Sequence, residues 1–132
     1  MLISNRSIPK VGSALLLLGG CGHAADVESL SEEYCREFQR CAPESFAESY
    51  GTRKVCEADF SGELNYTLNT LERDVGDQCA DALITYYDCV FGTITGCYAD
   101  DPYSEFPFLY DDLAAQHCED ALYSVCPEGI WD

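Results

Sequence analysis

Apolar residues recur along this chain at three- and four-residue intervals, and that period predicts helices rather than strands. Leu30, Tyr34, Phe38 and Cys41 share one helical face; Leu64, Leu68, Leu71 and Val75 share another. Cys79, Leu83, Tyr86 or Tyr87, and Val90 form a third stripe. Leu113, Ala114, His117, Cys118, Ala121, Leu122, Val125 and Cys126 form a fourth, the cleanest of the set. Ser29 with Glu32 fits a capping box, each side chain satisfying an amide at a helix start. Pro43 ends that first helix, because the residue before a proline avoids helical backbone angles. Residues 44–50 predict a short second turn closed by Gly51. Residues 52–75 predict a helix broken near Ser61 and Gly62, with Gly76 as its C-terminal cap. Asp77 is the candidate N-cap of the next helix, and Asp111 or Asp112 that of the last. Prolines, acids and aromatics crowd residues 97–110, which predicts an ordered but irregular loop. The expected fold is all-α, a small disulfide-stapled bundle of about four helices.

The first twenty residues have a different pattern. A short basic start carrying Arg6 and Lys10 leads into an apolar run ending Leu15-Leu16-Leu17-Leu18-Gly19-Gly20-Cys21. The run is too short to span a bilayer, which needs about 20 apolar residues. It predicts an export signal over residues 1–20. The ending Leu18-Gly19-Gly20-Cys21 resembles a bacterial lipobox. That resemblance implies cleavage before Cys21 and a lipid on its sulfur, so that the chain is held to a membrane through Cys21. Cleavage after Ala24 or Ala25 instead would yield a soluble secreted protein. The expected organisation is signal peptide 1–20, lipidated cysteine and tether 21–28, and a disulfide-rich helical domain 29–132.

Charge narrows the partners. The chain holds 24 Asp+Glu against 7 Lys+Arg, and two of the bases lie in the signal. What remains carries 5 bases against 24 acids, a formal charge of −19. Such a charge repels nucleic acid and anionic lipid surfaces, so nucleic acid is not an expected partner.

Nine cysteines are present, an odd number for an exported protein. Setting Cys21 aside leaves Cys35, Cys41, Cys56, Cys79, Cys89, Cys97, Cys118 and Cys126, enough for four disulfides in an oxidising compartment. Cysteines within one continuous helix at these spacings lie too far apart to bond, so bonds must join different elements. If the last two long helices pack antiparallel, bonded residue numbers should have a nearly constant sum. Cys79 with Cys126 gives 205 and Cys89 with Cys118 gives 207, one register for both. Cys41–Cys56 and Cys35–Cys97 are the expected remaining pairs.

Other chemistry is thinly represented. No Cys-x-x-Cys occurs, which removes the short spacings of thiolate zinc sites. Asp100, Asp101, Glu105, Asp111 and Asp112 gather oxygen ligands without EF-hand spacing, so neither metal nor cofactor is expected. His117 beside Cys118 invites a nucleophile reading, but a disulfide at Cys118 leaves no thiolate. Residues 116–120 are similar to the catalytic segment of secreted phospholipases A2. That family sets histidine directly before aspartate, whereas Cys118 and Glu119 separate His117 from Asp120 here. The loop over residues 98–110 presents Tyr98, Tyr103, Phe106, Phe108 and Tyr110 among acids, a surface suited to a protein partner or, more simply, a lid on the helical core.

The segments Cys35-Arg-Glu-Phe-Gln-Arg-Cys41, Cys79-Ala-Asp-Ala-Leu before Cys89, and Cys118-Glu-Asp-Ala-Leu before Cys126 follow the lipobox at loose spacing. In this the chain resembles the small, cysteine-rich helical lipoproteins of myxobacteria and related bacteria. The resemblance implies a lipoprotein of the cell envelope, on the outer membrane and facing the periplasm or cell surface. It supplies no catalytic residues. The expected role is therefore a non-enzymatic binding or structural module. The alternative is a soluble secreted protein, a hydrolase using His117 with Asp120 or a nearby carboxylate.

Overall fold

A computed structural model describes residues 23–98 and 107–127. Helix α1 (Ala24–Cys41) buries Val27, Leu30, Tyr34, Cys35 and Phe38 along one stripe. It begins earlier than Ser29, so the capping box does not form and residues 24–28, expected as tether, are the first turn of α1. Val27 explains the extension: it is 3 % exposed, and its burial draws the preceding turn into the helix. Ser31, the one buried polar residue among those described, donates to the Val27 carbonyl at 2.7 Å. Pro43 ends α1 and opens the seven-residue α2 (Pro43–Ser49) at its first turn, where its missing N–H costs nothing.

Helix α3 (Arg53–Asp74) is capped by Thr52, whose hydroxyl accepts from the Val55 amide at 3.2 Å. No break occurs at Ser61 and Gly62: α3 runs unbroken for 22 residues, because neighbours outweigh the modest helix cost of one glycine. Gly76 then takes φ +136° and donates its amide back to the Leu71 carbonyl at 2.8 Å. This lets α4 (Asp77–Phe91) start at once. The predicted cap Asp77 is its first helical residue, and the N-cap is Gly76.

The expected irregular loop is in part a hairpin. Strand β1 (Ile94–Cys97) pairs antiparallel with β2 (Phe108–Tyr110), with Gly96 opposite Leu109 and Cys97 opposite Phe108. Residues 99–106, including Tyr103 and Phe106, lie outside the described residues. Of the rest, Phe108 is buried and packs on the core as a lid, while Tyr98 and Leu109 are exposed. Asp111 caps α5 (Asp112–Val125), accepting from the Ala114 amide at 3.2 Å.

The core is aromatic. Tyr34 stacks on Phe60 at 4.5 Å between ring centroids and meets Phe38 and Phe108 edge-on at 5.8 and 6.1 Å. These contacts join α1, α3 and β2, and each ring buried adds about 1.5–3 kcal/mol. Phe91 extends the cluster to α4. Helix α1 packs on α3, α3 on α4, and α4 on α5.

Four disulfides staple this mostly helical fold. Cys79–Cys126 and Cys89–Cys118 join α4 to the α5 region in the antiparallel register expected. The other two pairs are corrected: Cys35 bonds Cys56, and Cys41 bonds Cys97. Antiparallel packing of α1 on α3 explains the exchange. Tyr34 opposite Phe60 sets a register in which Cys56 faces Cys35, a turn and a half before the end of α1. Cys41, at the last residue of α1, reaches Cys97 in the hairpin instead. Four disulfides are consistent with an oxidising extracellular or periplasmic location.

Candidate functional site

The second half of the molecule is chemically unlike the first. All five bases beyond residue 20 lie between Arg36 and Arg73. Residues 76–132 hold 12 Asp and Glu and no Lys or Arg. Helices α4 and α5 belong to that base-free half. Two disulfides fix them side by side, so the grooves flanking their contact have rigid walls.

One groove, of about 540 Å³, opens where α4, β2 and α5 meet. Tyr86, Tyr87, Val90 and Phe91 come from α4, Tyr110 from β2, and Asp112, Gln116 and Glu119 from α5. Tyr86 and Tyr87 form an edge-to-face pair, with 65° between ring planes and 5.6 Å between centroids. Burial pushes the phenol of Tyr86 above its ordinary pKa, and the Glu119 carboxylate raises it further. Burial likewise raises Tyr87 and Tyr110, each with Tyr86 as a second cause. All three phenols are therefore neutral at physiological pH, and the charge in this groove comes from its carboxylates.

A second groove, of about 550 Å³, is also lined by α4 and α5 and shares Tyr86 with the first. Ala82, Thr85, Ala121, Leu122 and Val125 give it apolar walls, and the Cys89–Cys118 disulfide lines it with His117. His117 is exposed and, among the described residues, makes no hydrogen bond or ion pair with a carboxylate. Asp81, the acid in this groove, lies 3.3 Å from His23 Nε2. Asp120 instead accepts from Gln116 Nε2 at 3.0 Å. The structure thus brings His117 to a groove but does not join it to Asp120, and Cys118 is consumed in its disulfide.

Cys21, Asp100, Asp101 and Glu105 lie outside the described residues. Among those described, no group of three or more His, Cys, Asp or Glu side chains is placed to hold a metal ion. No helix of the described residues is long and apolar enough to cross a membrane. The tyrosine groove was missed by sequence reasoning, which assigned Tyr86, Tyr87 and Tyr110 to core stripe and loop. The available signal was the absence of Lys and Arg after Arg73 in a stretch rich in tyrosine. Comparison with protein-family models, with curated proteins and with solved structures finds no match to this chain.

Proposed function

We propose that this protein is an exported, lipid-anchored module of the bacterial cell envelope that binds a ligand or partner and catalyses no reaction. One observation carries the reading. Eight cysteines pair completely among themselves, which leaves Cys21 as the ninth, directly after the apolar run and Gly19-Gly20. A cysteine with no partner in the fold, at the end of a signal-like segment, has the chemistry of a lipid acceptor. One acyl chain holds a protein only marginally, so stable anchoring needs the further chains that mature bacterial lipoproteins carry. The binding role rests on the base-free α4–α5 half and the two grooves lined by its helices.

The test is the intact mass of the protein from the membrane fraction of its native host. The expected mass is that of residues 21–132 plus acyl chains, less eight hydrogens for four disulfides. A Cys21→Ser variant should move to the soluble fraction. A variant that still partitions to membrane, or a native mass beginning after Ala24 or Ala25, would remove the anchor.

A further inference from the structure

We infer that the groove formed by Tyr86, Tyr87 and Tyr110, with Asp112 and Glu119 at its rim, binds a small organic cation bearing a trimethylammonium-type group. The inference deepens the binding role proposed above and rests on it.

The size suits a small molecule, since such sites typically enclose about 300–1,000 Å³. The walls select charge type. An aromatic face carries negative π density, so a cation set against it is attracted without losing water to a competing ligand shell. Tyr86 and Tyr87, an edge-to-face pair at 65° with centroids 5.6 Å apart, both line the groove. Tyr110 lines it from a different element, and so does Phe91, 5.9 Å from Tyr87 between ring centroids.

The rim sets the sign. Asp112 and Glu119 line the groove, and no Lys or Arg occurs anywhere from residue 76 onward to neutralise them. An anion entering this groove meets its carboxylates, and no basic side chain is among the lining residues to compensate. A neutral apolar guest would fill the aromatic groove but leave the carboxylates unused. A hard metal ion needs a shell of oxygen or nitrogen ligands. Among the described residues no such cluster exists, and phenol faces do not provide one. A soft, weakly hydrated ammonium bearing methyl groups uses the rings and the carboxylates together. The disulfides that brace α4 against α5 keep the site preformed, so little ordering cost opposes binding.

The experiment is a titration of the oxidised, isotope-labelled protein with choline chloride, followed by amide chemical shifts. Parallel titrations use sodium chloride and the neutral carbon isostere of choline, with tert-butyl in place of trimethylammonium. The expected result is saturable, low-millimolar binding that shifts amides around Tyr86, Tyr87, Tyr110 and Glu119. The isostere should bind at least about fivefold more weakly, the worth of roughly one cation–π contact. Tyr86→Leu and Tyr110→Leu should each weaken choline by about fivefold or more, and Glu119→Gln by about threefold. Glu119 is exposed, so its variant keeps the test meaningful should a tyrosine variant fail to fold. Equal binding of choline and its isostere, or no choline shift beyond that of sodium, overturns the proposal. Phosphatidylcholine vesicles separate the sources of the group. Co-sedimentation of the Cys21→Ser protein, reversed by free choline, identifies a lipid headgroup; choline binding without co-sedimentation identifies a free molecule. Anchoring is read separately from the mass and partition of the native protein, so either reading can fail while the other stands.

Discussion

Cys35–Cys56 and Cys89–Cys118 close loops of similar entropic worth in very different surroundings, so removing them should separate cross-link from packing. The first spans 21 residues, and loop-closure entropy assigns it about 3.4 kcal/mol. The second spans 29 residues but is nested inside Cys79–Cys126. With that outer bond intact, the shortest closed path has roughly 20 residues and is worth about 3.3 kcal/mol. The entropy terms therefore nearly cancel in a comparison. The packing terms do not. Cys35 and Cys56 are both 0 % exposed, whereas Cys118 is 2 % exposed and Cys89 is exposed. Deleting a buried, methylene-sized group costs about 1 kcal/mol plus the cavity it leaves. The double variant Cys35→Ala/Cys56→Ala should thus lose about 5–6 kcal/mol, and Cys89→Ala/Cys118→Ala about 4 kcal/mol. Guanidinium unfolding followed by circular dichroism measures both, after peptide mapping shows that the other three bonds have formed. Each variant should also unfold with a larger m, because its denatured chain is less constrained. An equal loss from both variants, or a larger loss at Cys89–Cys118, would refute the assignment of burial as the deciding term.

Four further substitutions have outcomes set by local geometry and charge. Gly76→Ala should destabilise by about 1–3 kcal/mol through its φ of +136° alone, since nothing lies within 4 Å of an added Cβ; Gly62→Ala, with equal room but helical angles inside α3, should stabilise by about 0.5–1 kcal/mol, and thermal unfolding reads both signs. Burial raises the Glu33 carboxyl above its ordinary range, with Asp88 and Glu37 adding to the effect against Arg36. A raised carboxyl favours folding while protonated, so its contribution declines as pH climbs from the unfolded pKa to the folded one, and Glu33→Gln should raise the unfolding midpoint at pH 7 but not at low pH. Glu37 slopes the other way: the Arg40 hydrogen bond, 2.6 Å from Nη2, holds its pKa down, so its contribution is present above the unfolded pKa and is lost as pH falls through the folded one, and Glu37→Gln should lower the midpoint only near neutrality.

Helix identity was legible in the sequence wherever an apolar stripe was long. The α4–α5 register was legible as well, because four cysteines on two helices overdetermine it. The α1–α3 pairing was not, since α1 carries two cysteines against one on α3, and no constant sum can choose between them. The start of α1 was hidden for a related reason: Ser29 and Glu32 satisfy a local rule, but burial of Val27 outweighs it. The hairpin was obscured by composition, as Gly96 and the prolines suggest irregularity, whereas Phe108 packing on Tyr34 and the Cys41–Cys97 bond tie the strands to the core. The tyrosine groove was illegible because Tyr86 and Tyr110, 24 positions apart in the sequence, come together only when β2 folds against α4. Charge asymmetry along the chain was visible throughout, but its meaning needed that geometry.

The disulfide pairing has a consequence for survival among proteases. The bonds span residues 35–56, 41–97, 79–126 and 89–118, and these spans overlap without a gap. A single peptide cleavage anywhere between Cys35 and Cys126 therefore separates no fragment until the molecule is also reduced. Of the four bonds, Cys41–Cys97 alone bridges residues 57–78, so it is the one link that keeps a nick in the second half of α3 from dividing the molecule. A domain wired this way can be cut once by a protease and still remain one covalent object.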